Sequence, residues 1–228
     1  DVIEAKHNLI DQYFITTSPE IIKCKIPKYK INYLPIPVDP NIENGHFYEI
    51  NKTKDLFFAL SHGVNYGKLK KNTNDVRSNF INSLIHTSKD KVDFNLYGLF
   101  DEQPIWNYNF SKELMVTKTA LNLSRGGPNK YASSNRIASI MGNGILPFIH
   151  EDIKYQDFFD NDEIINYKSS TDLVDKLLSI KDNKNQLLRR SIKSKKSYFN
   201  YFQNNIVADF LIYKIFKNKK SFDYVWYK

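Results

Sequence analysis

The stretch TALNLSRGGPNKYASSNRIASIMGNGILPFI, residues 119–149, decides the fold of this chain because two apolar runs flank a polar, glycine-rich loop and a short helix. Its first apolar run, residues 120–123, has the length of a buried strand, and the turn chemistry of SRGGP ends that strand. Ser133, Ser134 and Asn135 favour a helix that begins near Arg136, whose free N–H groups and positive dipole end would face the loop. The guanidinium of Arg136 adds a planar fork, so the sequence predicts a site for an anion such as a nucleotide diphosphate.

Strand and helix patterns alternate on both sides of this stretch. Residues 55–61 form an apolar run of strand length, residues 92–97 alternate as a strand, and residues 163–167 indicate another short strand. Helical patterns follow Asn74 or Asp75 and cover residues 106–116 and 172–180. Repeated strand–helix units predict an α/β fold, with a Rossmann-like parallel sheet that is flanked by helices and joined by right-handed crossovers.

The two ends of the chain have different patterns. Residues 13–15 are apolar and precede a helix-entry signature at Pro19, and residues 30–37 are strand-like but interrupted by prolines. Residues 185–216 contain no proline or glycine and are rich in Lys, Tyr and Phe, which predicts one long C-terminal helix.

Composition indicates a globular protein of one large domain or two small ones. The 228 residues are 41% hydrophobic, and they contain neither an apolar run of the ~18 to 20 residues that a membrane span needs nor an N-terminal signal pattern. The single cysteine, Cys24, rules out an intramolecular disulfide and fits a reducing cytoplasm, so we expect a cytoplasmic location, with peripheral membrane contact as an option. The chain starts at Asp1, which is compatible with a fragment, a processed product or the ordered part of a longer protein.

The net charge of +8 favours anionic partners such as nucleotides, nucleic acid or anionic lipid headgroups. A bias toward Lys, Asn and Ile runs through the whole chain, however, and this bias alone accounts for much of the charge. The charge by itself therefore does not choose between these partners.

Five segments, in this order and at this spacing, resemble the C-terminal half of glycosyltransferases with the GT-B fold, specifically the "glycosyl transferases group 1" proteins of the CgeB-like kind. They are FFALSHGVNYGKLKK, DVRSNF, NLYG, LNLS and SSNRIASIMGNGILPFI, and together they cover roughly residues 55–180. The resemblance implies that residues 1–50 are the tail of an N-terminal acceptor domain with its linker. Residues 51–185 would form the nucleotide-sugar-binding domain, and residues 186–228 a C-terminal helical segment.

The loop after the first predicted strand of this domain lies where open α/β sheets bind ligands. Gly63 and Gly67 would let the backbone approach a diphosphate, and Lys68, with Arg77 as the alternative, would neutralise it. His62 has the pKa range of a catalytic acid or base, so it is a third candidate beside Arg136 and Lys68 for a catalytic role. The alternative interpretation of this loop is an exposed basic turn.

The remaining candidates follow the next two predicted strands. The resemblance places Gly98 and Leu99 in a loop that clamps the nucleobase through backbone atoms, and Trp106 either stacks on a ligand or packs in the core. The opening stretch contributes donor-binding candidates, namely Ser124, Arg125, Ser133, Ser134, Asn135 and Ser139. Ser139 stands where retaining members of the family have a glutamate that contacts the donor ribose. Either Ser139 or a loop residue takes over this contact, or the donor is bound differently.

The resemblance implies transfer of a sugar from a nucleotide-sugar donor to a glycan, a lipid-linked or another surface-polymer acceptor, as in polysaccharide biosynthesis. Neither a metal nor another cofactor is implied, and no specific nucleic acid is expected as a partner. The alternative is a non-catalytic module that binds an anionic membrane surface or nucleic acid through basic residues of the C-terminal helix. These are Arg189, Arg190, Lys193, Lys195 and Lys196, which are interleaved with Tyr198, Phe199, Tyr201 and Phe202.

Overall fold

A computed structural model describes residues 7–61, 64–65, 68–69, 76–100 and 102–227. Its centre is a sheet of five parallel strands, which are β3 (Lys54–Ala59), β6 (Phe94–Tyr97), β7 (Thr117–Asn122), β8 (Leu146–His150) and β9 (Ile165–Tyr167). Their order in the sheet is β6-β3-β7-β8-β9. This arrangement confirms the predicted parallel α/β sheet.

Helices cover both faces of the sheet, and this explains why β3 contains a continuous apolar run, residues 56–59, instead of an alternating pattern. They are α1 (Val76–Ser88), α2 (Asn107–Met115), α3 (Asn135–Gly142), α4 (Ser170–Ile180), α5 (Lys184–Phe202) and α6 (Asn204–Phe216). Leu56 and Phe58 of β3 pack in the same cluster as residues of α1 and α4, while Phe57 and Ala59 pack with α2 and α3 on the other face. The fully buried run in β3 is therefore divided between two cores.

Small paired strands lie outside the main sheet. Strands β1 (Tyr13–Ile15) and β2 (Ile31–Tyr33) form a parallel pair, and β4 (Val64–Asn65) and β5 (Lys68–Leu69) form an antiparallel pair. The predicted helix entry at Pro19 is one short 3₁₀ turn, Pro19–Ile21, which Ser18 caps.

Part of the N-terminal segment, around residues 33–38, packs against the C-terminal helices. Tyr33 and Val38 belong to the same buried cluster as Tyr198 and Phe202 of α5. The backbone of Ile36 is held from two sides, because its N–H donates to Ser133 Oγ at 2.9 Å and its carbonyl accepts from Tyr198 Oη at 3.1 Å. These contacts fix the segment around Ile36 beside the N-terminus of α3.

The predicted C-terminal helix is helical, but the expectation of one uninterrupted helix is wrong, because α5 ends at Phe202 and α6 begins at Asn204. Gln203 between them is extended, with φ −62° and ψ 147°. Val38 lies against this break and bonds to both helices: its N–H donates to Phe202 O, and its carbonyl accepts from Asn204 N–H, both at 2.9 Å. A backbone pairing from elsewhere in the chain thus replaces helical hydrogen bonds at this point.

Candidate active site

A cleft of about 960 Å³ lies at the carboxyl ends of β3 and β7. In chain order the main-sheet strands are arranged 2-1-3-4-5, so these two neighbouring strands are the place where the strand order reverses. Open α/β sheets bind ligands at such a switch point. Ala59, Leu60 and Ser61 line the cleft after β3, and Ser124 and Arg125 line it after β7.

Arg136 joins the two strand ends. One terminal nitrogen donates to Leu123 O and the other to Ala59 O, both at 3.0 Å. The guanidinium also lies over the ring of Phe58, 5.0 Å from its centroid. A guanidinium has five N–H donors, so these two bonds orient the group and leave donors for a ligand in the cleft.

The cleft is strongly cationic. Burial and the nearby charge of Arg77 lower the pKa of Arg136 to about 10, so this guanidinium remains protonated at neutral pH. Arg77 is itself buried in the lining, and Arg125 is the third arginine there. Among the described residues, no aspartate or glutamate lines this cleft, so its charge is suited to an anion.

Helix α3 points its N-terminus at the cleft. The helix begins at Asn135, one residue before the predicted start, and Ser134 is the N-cap but makes no side-chain capping hydrogen bond. Ser134 Oγ instead donates to Asn122 Oδ1 at 3.4 Å. The first N–H groups of an α-helix have no intrahelical partner, so this end presents donors and a positive dipole to the cleft.

One wall of the cleft comes from the segment that enters α2. Ile105, Trp106, Asn107, Phe110 and Ser111 line it. Trp106 is 44% exposed at the rim of the cleft, whereas a tryptophan in the core would be enclosed. Its exposed ring is suited to stacking on a ring-shaped ligand. This position favours the stacking interpretation over the core interpretation.

The structure brings eight of the predicted site residues together in the cleft lining. They are Arg77, Ser124, Arg125, Ser133, Ser134, Asn135, Arg136 and Ser139. Gly98 and Leu99 do not line it. Gly98 has φ +75° and a Cβ at this position would meet Leu60 O at 1.8 Å, so glycine is needed to let the two strand ends approach. Leu99 is buried in the core.

Three predicted residues, His62, Gly63 and Gly67, lie outside the described residues. Lys68 belongs to β5, and only its backbone is described. The roles assigned to these four residues therefore stay predictions.

Several cleft residues were not predicted. Thr16, Thr17, Ile36 and Ile42 come from the N-terminal segment, and Asn129 comes from the glycine-rich loop. The loop residue could have been included, because it lies inside the stretch that predicts the site. The N-terminal residues carry no local signal, since only the packing of that segment on α5 and α6 brings them here.

None of the helices in the described part of the chain is both long and apolar enough to cross a bilayer. No group of three or more His, Cys, Asp and Glu side chains in this part of the chain is placed to hold a metal ion.

The fold and the cleft together define a class of protein, an α/β protein with a Rossmann-like parallel sheet and a cleft suited to an anion at its switch point. A family model described as "Glycosyl transferase-like" matches residues 77–204, more than half of the 228 residues, and the chain belongs to this family. No curated protein matches the sequence.

Solved structures show the same fold at low sequence identity. TarM has a TM-score of 0.61 and 14% identity over 93% of this chain, which spans 45% of the TarM chain. A glycosyltransferase from Rickettsia africae ESF-5 has a TM-score of 0.61 and 11% identity, over 96% of this chain and 68% of its own. Sucrose-phosphate synthase from Thermosynechococcus elongatus has a TM-score of 0.60 and 7% identity, over 93% of this chain and 60% of its own. A mutant of S. aureus TarM was solved in complex with fondaparinux, α-GlcNAc-glycerol and UDP.

Proposed function

We propose that this chain is the donor-binding half of a glycosyltransferase and that its cleft holds the diphosphate of a nucleotide sugar. The observation that carries the proposal is the combination of three arginines, the N-terminus of α3 and a strand-order switch point in one cleft without a carboxylate among its described lining residues. Family membership supports glycosyl transfer, and the UDP complex of TarM supports a nucleotide as the anionic part of the donor.

The proposed mechanism is electrostatic. The bond between the anomeric carbon and the diphosphate oxygen breaks, the acceptor hydroxyl oxygen bonds to that carbon, and the hydroxyl proton passes to a base or to water. The negative charge that develops on the leaving diphosphate is stabilised by Arg136, Arg77 and the first amides of α3, which are already oriented before the reaction. Since these groups supply the positive charge, we propose that no divalent metal is required. The acceptor, a glycan or a lipid-linked sugar, would approach from the open side of the cleft.

The experiment is calorimetric titration of the full chain with UDP, GDP, ADP and CMP, with and without EDTA. We expect at least one diphosphate to bind, and EDTA to leave its affinity unchanged. Arg136→Lys keeps the charge but loses the planar fork, so we expect this variant to bind the nucleotide at least about tenfold more weakly than the wild type. The matched control is Arg189→Lys, because Arg189 pairs with Asp162 on the exposed side of α5.

A folded preparation that binds none of the four nucleotides would contradict the proposal. Circular dichroism and thermal melting of Arg136→Lys are needed beside the titration, because Arg136 also satisfies two carbonyl groups. Weaker binding by a variant that melts near the wild type is the supporting result.

The alternative, a basic module that binds a membrane or nucleic acid, gains no support from the C-terminal helices. Arg189 and Lys193 pair with acidic residues between β8 and β9, Arg190 donates to three backbone carbonyls, and Lys195 donates to Gly45 O at 2.6 Å. These cations hold α5 to its own domain. We therefore do not include peripheral membrane contact through this helix in the proposed function.

A further inference from the structure

A smaller cavity of about 470 Å³ adjoins the arginine-lined cleft, and its charge is the opposite. The two cavities share Ile36, Ile42, Asn135 and Ser139 as lining residues. The smaller one, called the side pocket here, also contains Asp39, Glu43 and Asn204, and no described lysine or arginine lines it. A ligand that occupies both cavities therefore contacts cations in the cleft and carboxylates in the side pocket.

Most polar groups at the back of the side pocket already have partners. Asp39 accepts from Asn204 Nδ2 at 3.0 Å through Oδ2 and from the N–H of Asn41 at 2.8 Å through Oδ1. Its carbonyl accepts from the N–H of Glu43 at 2.8 Å, and its own N–H donates to Glu43 Oε2 at 2.9 Å. This turn is a rigid support, and Asp39 has a structural role in it.

The second carboxylate oxygen of Glu43 differs from these groups. Glu43 is only 9% exposed, and Oε1 receives no hydrogen bond from any residue that the structure describes. Burial raises the pKa of this carboxyl group, as expected for a carboxylate that is partly removed from water. Glu43 lines the side pocket, and Oε1 has no donor among the described residues, so a ligand in the pocket that donates a hydrogen bond to this oxygen would be favoured.

The position of Glu43 is set by helix α3. Its Cβ lies 2.7 Å from the place where a side chain at Gly142 would begin, so the glycine lets the turn that carries Glu43 approach the helix. Ser139 and Asn135 lie on the same helix and line the same pocket. The carboxylate is therefore built into the wall of the ligand site, although it comes from a distant part of the sequence.

The chemistry of the side pocket suits sugar hydroxyl groups. Each hydroxyl donates one hydrogen bond and accepts others, which matches a carboxylate acceptor beside a serine hydroxyl and an asparagine amide. A phosphate in this pocket would be repelled by the two carboxylates, whereas a neutral diol would not. In dinucleotide sites, a carboxylate that follows a phosphate-binding loop accepts from a ribose hydroxyl by the same chemistry.

We propose that Glu43 Oε1 accepts a hydrogen bond from a sugar hydroxyl of the donor, so that the side pocket recognises a hydroxylated ring attached to the diphosphate. The inference rests on the proposed function, because it needs the diphosphate in the adjoining cleft. The ring is either the ribose or the transferred sugar, and both offer the same hydroxyl chemistry.

The experiment compares wild type, Glu43→Gln and the control Glu49→Gln, whose carboxylate is exposed and lines neither cavity. The probes are the tightest binder among UDP, GDP and ADP, its 2′-deoxy and 3′-deoxy analogues, and its glucose ester. If the ribose is recognised, wild type binds one deoxy analogue about tenfold more weakly than the parent, and Glu43→Gln loses this discrimination while Glu49→Gln keeps it. If the transferred sugar is recognised, the preference of wild type for the glucose ester over the bare diphosphate falls about tenfold in Glu43→Gln.

Equal discrimination by wild type and Glu43→Gln in both comparisons would overturn this inference and leave the proposed function standing. A wild type that binds both deoxy analogues and the glucose ester as tightly as the parent diphosphate would overturn it without reference to any variant, so the test survives a variant that does not fold. Failure of every diphosphate to bind would instead remove the proposed function and this inference together.

Discussion

Asp55 shows how one residue can be charged, buried and unrelated to the ligand site. It is the second residue of β3, so it lies at the end of the strand opposite the cleft. Lys118 reaches Oδ1 at 2.7 Å, and Lys181 reaches Oδ2 at 3.1 Å. Burial on its own would raise the pKa of Asp55, but hydrogen bonds from Lys118, from the N–H of Asp93 and from Lys181 outweigh burial and lower it. The carboxylate therefore stabilises the fold in its ionised form.

We predict that Asp55→Asn lowers the free energy of unfolding by about 3 kcal/mol at pH 7, because two partly buried lysines lose the carboxylate that pairs with both of them. Since the pKa of Asp55 is lower in the folded state than in the unfolded state, its contribution is complete above the unfolded value. It is lost as the pH falls below about 4 and through the folded value. Urea unfolding of both proteins between pH 7 and pH 3 measures this. A difference between them that stays constant down to pH 3 would contradict the prediction.

At the scale of elements, the break between α5 and α6 links the two ends of the sequence. Val38 bonds to the last residue of one helix and the first of the next, and its side chain is completely buried. The turn that carries Glu43 and the cleft residue Ile36 lie on either side of Val38. The helix break therefore fixes the segment that supplies one wall of both cavities.

We expect the amides of Val38 and Asn204 to exchange with solvent at rates close to those of the most protected strand amides, because opening either bond requires the segment to leave the helices. Hydrogen exchange followed by NMR measures this. The matched control is Asn41, whose amide bonds to a side chain in an exposed turn and should exchange much faster. Similar rates for Val38 and Asn41 would show that the segment opens locally.

The elements also show which structural features the sequence could predict. The apolar runs of β3 and β7 and the polar loop after β7 predicted the parallel sheet and the position of Arg136, because these signals are local in the sequence. The break at Gln203 could not be predicted, since Gln203 is an ordinary helix residue and the break depends on Val38, far away in the chain. Glu43 was missed for the same reason: the segment around it has the composition of an exposed loop, and only packing against α3 buries it.

At the scale of the whole molecule, the cations behind the net charge of +8 have two kinds of surroundings. Many cations on α5 and near the sheet ends are held by carboxylates or carbonyl groups of the same domain. The lining of the cleft contains three arginines, Arg77, Arg125 and Arg136, and no aspartate or glutamate among its described residues. The cleft is therefore the place where the excess charge can act on a ligand.

The two tryptophans lie in very different environments, and this gives the protein an optical probe of its own cleft. Trp226 is 8% exposed and packs among aromatic rings, with Phe202 at 5.4 Å and Phe210 at 5.6 Å between centroids. Trp106 is 44% exposed at the cleft rim. Emission from the first should report the integrity of the fold, while emission from the second should report what enters the cleft.

We predict that acrylamide quenches the emission in two components and that Trp106→Phe removes the more accessible one, leaving a blue-shifted spectrum from Trp226. A bound nucleotide should shield the accessible component in wild type and change nothing in the variant. Quenching that is identical in both proteins would mean that Trp106 is not exposed at the rim. With the expected result, ligand entry can be timed by stopped-flow fluorescence without a label, and the buried tryptophan serves as the internal reference.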